Sequence, residues 1–134
     1  MRYLLDVNVL VALGHTGHVH HSSVIKWFAK VVASATGFHT CAITELGFVR
    51  VAVTVGLQPD IPTACAALEA LKASSRVPFK LIPDVRGVAH LPEFVATPGA
   101  VTDGHLLDLA RSHSMELVTL DRGIPGATCI VGPR

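Results

Sequence analysis

Ten acidic residues occur among the 134 of this chain, and four of them stand where a carboxylate is costly to keep. Asp6 sits between Leu5 and Val7 in an otherwise apolar run. Glu45 lies between Thr44 and Leu46 near the start of an apolar helical pattern, Asp103 opens another such pattern, and Asp121 ends a strand-like run. Half-buried carboxylates repel one another and cost free energy unless a cation compensates them. A hard divalent ion, Mg²⁺ or Mn²⁺ in its place, takes an all-oxygen shell of this kind and keeps positions for water and phosphate oxygens. Each acid also has a plainer use. Asp103 alone suits a helix cap, and Asp121, before Arg122 and Gly123, suits a turn. Asp6 is harder to explain that way, and Glu45 on its own says little. The Ser, His and Cys residues form no obvious triad, so no side chain stands out as a nucleophile.

The elements that must position these acids can be read from periodicity and punctuation. Tyr3 to Leu5 form a buried strand that delivers Asp6 at its end, and Val7 to Leu13 either prolong it or turn into a helix. An amphipathic helix is expected from about His18 to Ala33 and a short strand over Phe38 to Thr40. Cys41 to Thr54 read as a helix with Ile43, Leu46, Val49 and Val53 along its apolar stripe, although the valines from 49 to 55 also suit a strand. Pro62 fits the first turn of a helix reaching about Ala73, and Phe79 to Ile82 a strand closed by Pro83. Thr102 or Asp103 would cap a helix through about His113, with Leu106, Leu107, Leu109 and Ala110 on its core side. Glu116 to Leu120 and Ala127 to Val131 complete the strands, with Gly123, Pro125 and Gly126 between them. Strand and helix alternate throughout, which predicts a single α/β domain with a mainly parallel central sheet. Ligands of such sheets bind beyond the carboxyl ends of the strands. Asp6 and Asp121 both fall there.

Composition narrows the class without naming a substrate. Half the residues are hydrophobic and 16% are charged, which argues against extensive disorder. The mean hydropathy of +0.50 implies a strongly apolar core together with apolar surface kept for a partner or a second copy. A net charge of +1 from scattered Lys and Arg neither favours nor excludes nucleic acid. Cys41, Cys65 and Cys129 are odd in number and widely spaced, as in a cytoplasmic protein with reduced thiols. No stretch approaches the roughly 20 apolar residues of a membrane span. Eight histidines include His15, His18, His20 and His21, which read as surface residues around a helix start rather than a zinc site. His105, two residues past Asp103, stands nearer the acids, and its plainer reading is a solvent-facing helix residue.

The runs "LLDVNVLVAL", "TELGFVR", "VTDGHLLDLARSHSMELVTLD" and "GATCIV" resemble, in order and spacing, those of PIN-domain proteins, and within them the VapC toxins of bacterial toxin–antitoxin pairs. The resemblance runs from about Met1 to Val131. It implies a three-layer α/β/α sandwich and Mg²⁺- or Mn²⁺-dependent endoribonuclease activity. It also implies an RNA substrate, a VapB-like antitoxin partner and a homodimer. Asp6, Glu45, Asp103 and Asp121 match the family's acids, Asn8 the polar position beyond the first acid, and Thr119 a small hydroxyl near the last. Gly104 stands where Ala is more usual, and "RGIPGA" follows Asp121 where an aromatic often does. Metal-activated water would attack phosphorus in line and leave a 5′-phosphate without using the RNA 2′-hydroxyl. Arg50, five residues after Glu45, would pair with an acid or touch RNA phosphate. Asp108 lies about 140° around the helix from Asp103 and should face away from the site. The alternatives are a Mg²⁺-binding signalling module with a phospho-acceptor Asp, or an inactive scaffold of the same shape. The first wants a second acid beside Asp6 and a Lys after a later strand, which the chain lacks; the second sits poorly with four acids in place.

Overall fold

The computed structural model describes residues 1–130. Five strands, β1 (Arg2–Leu5), β2 (Gly37–Thr40), β3 (Phe79–Leu81), β4 (Glu116–Thr119) and β5 (Thr128–Cys129), form one sheet in the order β3-β2-β1-β4-β5. Every pairing is parallel. Five α-helices connect or follow them: α1 (Val7–Gly14), α2 (His21–Val31), α3 (Ala42–Thr54), α4 (Ile61–Ala73) and α5 (Val101–Ser112).

Alternation along each strand separates two apolar layers. Tyr3 and Leu5 of β1, Phe38, Phe79 and Val118 pack with α1 to α4 on one face. Leu4, Leu117, Ile82 and Met115 pack with Leu106, Leu107 and Leu109 of α5 on the other. The result is the three-layer sandwich expected. Aromatic rings fill the first layer: Phe28 stacks on Phe38 with centroids 4.5 Å apart, and Trp27 meets Tyr3 edge-on at 5.3 Å. Each fully buried large side chain is worth about 1.5–3 kcal/mol relative to exposure.

Val7 to Leu13, ambiguous in sequence, is helical because Asp6 caps it: the Val7 N–H donates to Asp6 Oδ1 at 2.7 Å. Its periodicity is weak for a physical reason. Val9 to Leu13 are buried without a break, since the sheet lies on one side and α2, α3 and α4 on the others, and a helix enclosed all round needs no polar stripe. Several boundaries differ from expectation. α2 starts at His21 rather than His18, leaving Val19 exposed. α5 starts at Val101 behind Ala100, whose side chain offers no cap, so neither Thr102 nor Asp103 caps it and Asp103 sits inside the first turn. The last strand is Thr128–Cys129, and Val131, its expected end, lies outside the described residues.

Gly104 is required by packing. A Cβ there would meet Val95 Cγ2 at 2.2 Å and Pro92 Cδ at 3.4 Å. Gly104→Ala is therefore expected to lower stability, although Ala favours helix by about 1 kcal/mol. Val95→Ala should recover much of that loss in a melting experiment on the double variant, a non-additive pair. If Gly104→Ala alone proves stabilising, the close approach is not a constraint.

Candidate active site at the carboxyl edge of the sheet

The chain leaves β1 toward β2 and β3 on one side, and places β4 and β5 on the other. The reversal makes a switch point at the carboxyl ends of β1 and β4, the place where open parallel sheets have their ligand crevice. Leu5 is aligned with Val118, so the next residues, Asp6 and Thr119, meet at its floor. The Asp6 N–H donates to the Val118 carbonyl at 2.9 Å, and the residue is only 7% exposed.

Thr119 organises the floor. Its hydroxyl, fully buried, donates to Asp6 Oδ2 at 2.7 Å and accepts the Asp121 N–H at 3.0 Å. Asn8 Nδ2 approaches the same oxygen at 3.4 Å, while Asn8 Oδ1 accepts the Leu120 N–H at 3.1 Å. A hydroxyl has one donor and two acceptor positions, and all are used. The two polar residues matched from sequence, Asn8 and Thr119, thus tie Asp6 to the chain around Asp121. Asp121 itself is exposed, and its Oδ1 accepts the Gly123 N–H at 2.7 Å.

Three aspartates share this crevice and its field. Burial raises the Asp6 carboxyl above the ordinary aspartate range; the bonds from Thr119 and Val7 oppose the rise, and Asp121 adds to it. Asp103, half-buried in the first turn of α5, is raised by burial, then by Asp6, then by Asp121. The partial positive charge of the helix N-terminus favours a carboxylate there, yet the net effect is unfavourable. Among the described residues none of the three has a basic partner. The donor set therefore fits a hard cation. No three His, Cys, Asp or Glu residues among those described converge closely enough to chelate one directly. That matches Mg²⁺, which keeps several waters and is held through one or two carboxylates.

Glu45 is placed differently. It lies in the first turn of α3, where its Oε2 accepts from Thr40 Oγ1 at 2.5 Å and from Lys72 Nζ at 2.7 Å. The partner of Glu45 is thus Lys72 of α4. Arg50, expected to pair with an acid, is exposed and forms no ion pair among the described residues. Thr40 and Lys72 were missed in sequence. Thr40 carried a signal, since it ends β2 just ahead of an acid-bearing helix, as Thr119 ends β4 two residues before Asp121.

Asp108, expected on the outer side of the helix, is half-buried instead, in a bidentate pair with Arg86 at 2.9 and 3.0 Å. His105, expected in solvent, is half-buried with Nε2 2.5 Å from Asp84 Oδ2. These two links fasten the segment after β3 to α5. The histidines near 15–21 are also more than surface residues. His15 is buried, donates from Nδ1 to the Val11 carbonyl at 2.7 Å and accepts from Gln58 Nε2 at 3.0 Å. His21 Nδ1 donates to the Ala12 carbonyl at 2.7 Å. Both close the exposed carbonyl end of α1.

An all-parallel α/β/α sandwich with an acid-lined switch point matches the PIN domain, whose family model covers residues 3–127, and the chain belongs to that family. Within it, the chain stands with the VapC proteins. It is 42% identical over 125 residues to Ribonuclease VapC38 of Mycobacterium tuberculosis, across 90% of this chain and 86% of that protein. With Ribonuclease VapC29 of the same species it is 40% identical over 126 residues, 92% and 89% of the two chains. The fold also matches the toxin VapC20 of M. tuberculosis, described as cleaving the sarcin-ricin loop, with TM-score 0.59, 15% identity and 98% and 99% coverage. VapBC2 of Rickettsia felis, solved on a promoter DNA fragment, matches with TM-score 0.63 and 17% identity, over 96% and 97%.

Proposed function

We propose that this chain is the endoribonuclease toxin of a toxin–antitoxin pair, hydrolysing RNA with a hydrated Mg²⁺ or Mn²⁺ held among Asp6, Asp103 and Asp121, directly by one or two of them and through water by the rest. One observation carries the reading. These three carboxylates share a crevice at the switch point without a basic partner among the described residues, whereas Glu45, Asp84 and Asp108 each have one. When bound, the divalent ion supplies Lewis-acid polarisation of the phosphodiester and activation of water. The chain's own residues supply the geometry. Thr119 fixes Asp6 through Oδ2, Asn8 holds the turn after β4, and exposed Asp121 forms the open side by which RNA reaches the buried acids. Glu45 is the fourth acid of the edge, and Arg50, free of intramolecular pairing among the described residues, is offered to substrate phosphate.

Partners follow from the surface. Leu46 is 70% exposed, and Ile43, Val85, Val88 and Val101 are exposed with it, apolar area that suits self-association and a VapB-like antitoxin. The three free cysteines suit the cytoplasm, and no described helix is long and apolar enough to cross a membrane.

The chemistry is checked with RNA in which the nucleotide 5′ to the cut carries a 2′-deoxy sugar. Cleavage should persist and leave a 5′-phosphate. Loss of cleavage, or a 2′,3′-cyclic phosphate on the unmodified RNA, would mean that the 2′-hydroxyl is the nucleophile and the metal-water reading is wrong.

A further inference from the structure

Glu45 differs from the aspartates in one respect that bears on how many ions the edge can take. Its Oε2 is occupied twice, by the Thr40 hydroxyl and by the Lys72 ammonium at 2.7 Å, and both members of the ion pair are largely withdrawn from water, with side chains 14% and 22% exposed. Lys72 has a second, looser neighbour in Glu69 at 3.8 Å, which is 71% exposed and too well solvated to compete. A half-buried ammonium and carboxylate hold each other in place, because removing either leaves the other without compensation. We propose that Lys72 is a resident cation of the active-site edge. Its ammonium takes the place on Glu45 that a second divalent ion would need, so the crevice loads one ion on the aspartate side and Glu45 is no direct ligand while Lys72 is present. A lysine suits this use, being a compact single charge on a flexible stem. The inference rests on the reading that the aspartates hold a divalent ion.

The test is a Mn²⁺ titration of the metal-free protein, following free Mn²⁺ by electron paramagnetic resonance, on wild type, Glu45→Gln, Lys72→Met, Lys72→Arg and the double variant Glu45→Gln/Lys72→Met. Wild type should bind one ion, and Glu45→Gln should stay within about twofold of it, well short of the about 10–100-fold loss seen even for groups behind a metal ligand. Lys72→Met, which keeps the apolar stem, should bind a second ion or bind about tenfold more tightly. Lys72→Arg and the double variant should return to wild-type behaviour. If Lys72→Met does not fold, Lys72→Gln carries the same expectation. A loss of about tenfold or more in Glu45→Gln, or wild-type binding in Lys72→Met, would overturn the proposal while leaving an aspartate-held ion intact. No Mn²⁺ binding by wild type would overturn the underlying reading and this inference with it.

Discussion

Asp103→Asn should abolish most activity while making the protein more stable. Asparagine keeps the shape and removes a charge that its surroundings disfavour: burial, Asp6 and Asp121 all raise the Asp103 carboxyl. The sign follows. A folded-state value above the unfolded one means that the ionised group opposes folding, so the variant's advantage is full above the folded value and vanishes as pH falls through it. Asp103 is only half-buried, so solvent screening keeps the gain below about 1 kcal/mol, or roughly 2–4 °C in melting temperature. Loss of activity should exceed about a hundredfold, since even groups that merely support a metal ligand cost about 10–100-fold. Mn²⁺ should reverse the order of stability. At about 100 times its dissociation constant a bound ion adds about 2.7 kcal/mol, which wild type gains and Asp103→Asn largely forgoes. Melting curves with and without Mn²⁺ across pH check all three signs. A variant less stable than wild type at neutral pH would show that the carboxylates are not in mutual conflict.

Thr119→Val should do the opposite to stability and the same to activity. Valine keeps the volume but removes the hydroxyl that serves Asp6 Oδ2, the Asp121 N–H and Asn8. A buried group left unsatisfied costs about 1–3 kcal/mol, more when charged, and Asp6 would lose a bond that now opposes the rise of its carboxyl. The activity profile should therefore shift toward higher pH, beyond a simple drop in amplitude. Thr119→Ser restores the hydroxyl and should restore the profile. If Thr119→Val lowers stability but leaves the pH profile unmoved, Thr119 is a packing residue only.

Much of this arrangement was legible in sequence because the acids stand at element ends. Asp6 follows a three-residue apolar run and Asp121 follows another, and parallel-sheet geometry puts strand ends at one edge. The existence of the strands was clear, and their boundaries moved by a residue or two. What could not be read was anything fixed by contacts between distant elements. Nothing in the local sequence sets Lys72 apart near the end of α4, and its pairing with Glu45, 27 positions away, depends on how α3 and α4 cross. His105 had the spacing of an outer helical residue until the segment after β3 brought Asp84 against it. His15 read as surface because nothing local indicates that Phe48 stacks on it at 5.3 Å or that Gln58 meets its ring. Gly104, a departure from the family's alanine, became intelligible only with Val95 beside it.

The central claim is that clustered aspartates cut RNA through a divalent ion, and one assay addresses it most directly. Purified wild type and Asp6→Asn, which retains an acceptor for the Val7 N–H, are incubated with mixed cellular RNA and Mn²⁺, with and without EDTA. Wild type should cleave, EDTA should stop it, and Asp6→Asn should leave the RNA intact. Equal cleavage by wild type and Asp6→Asn, or cleavage undiminished in EDTA, would contradict it.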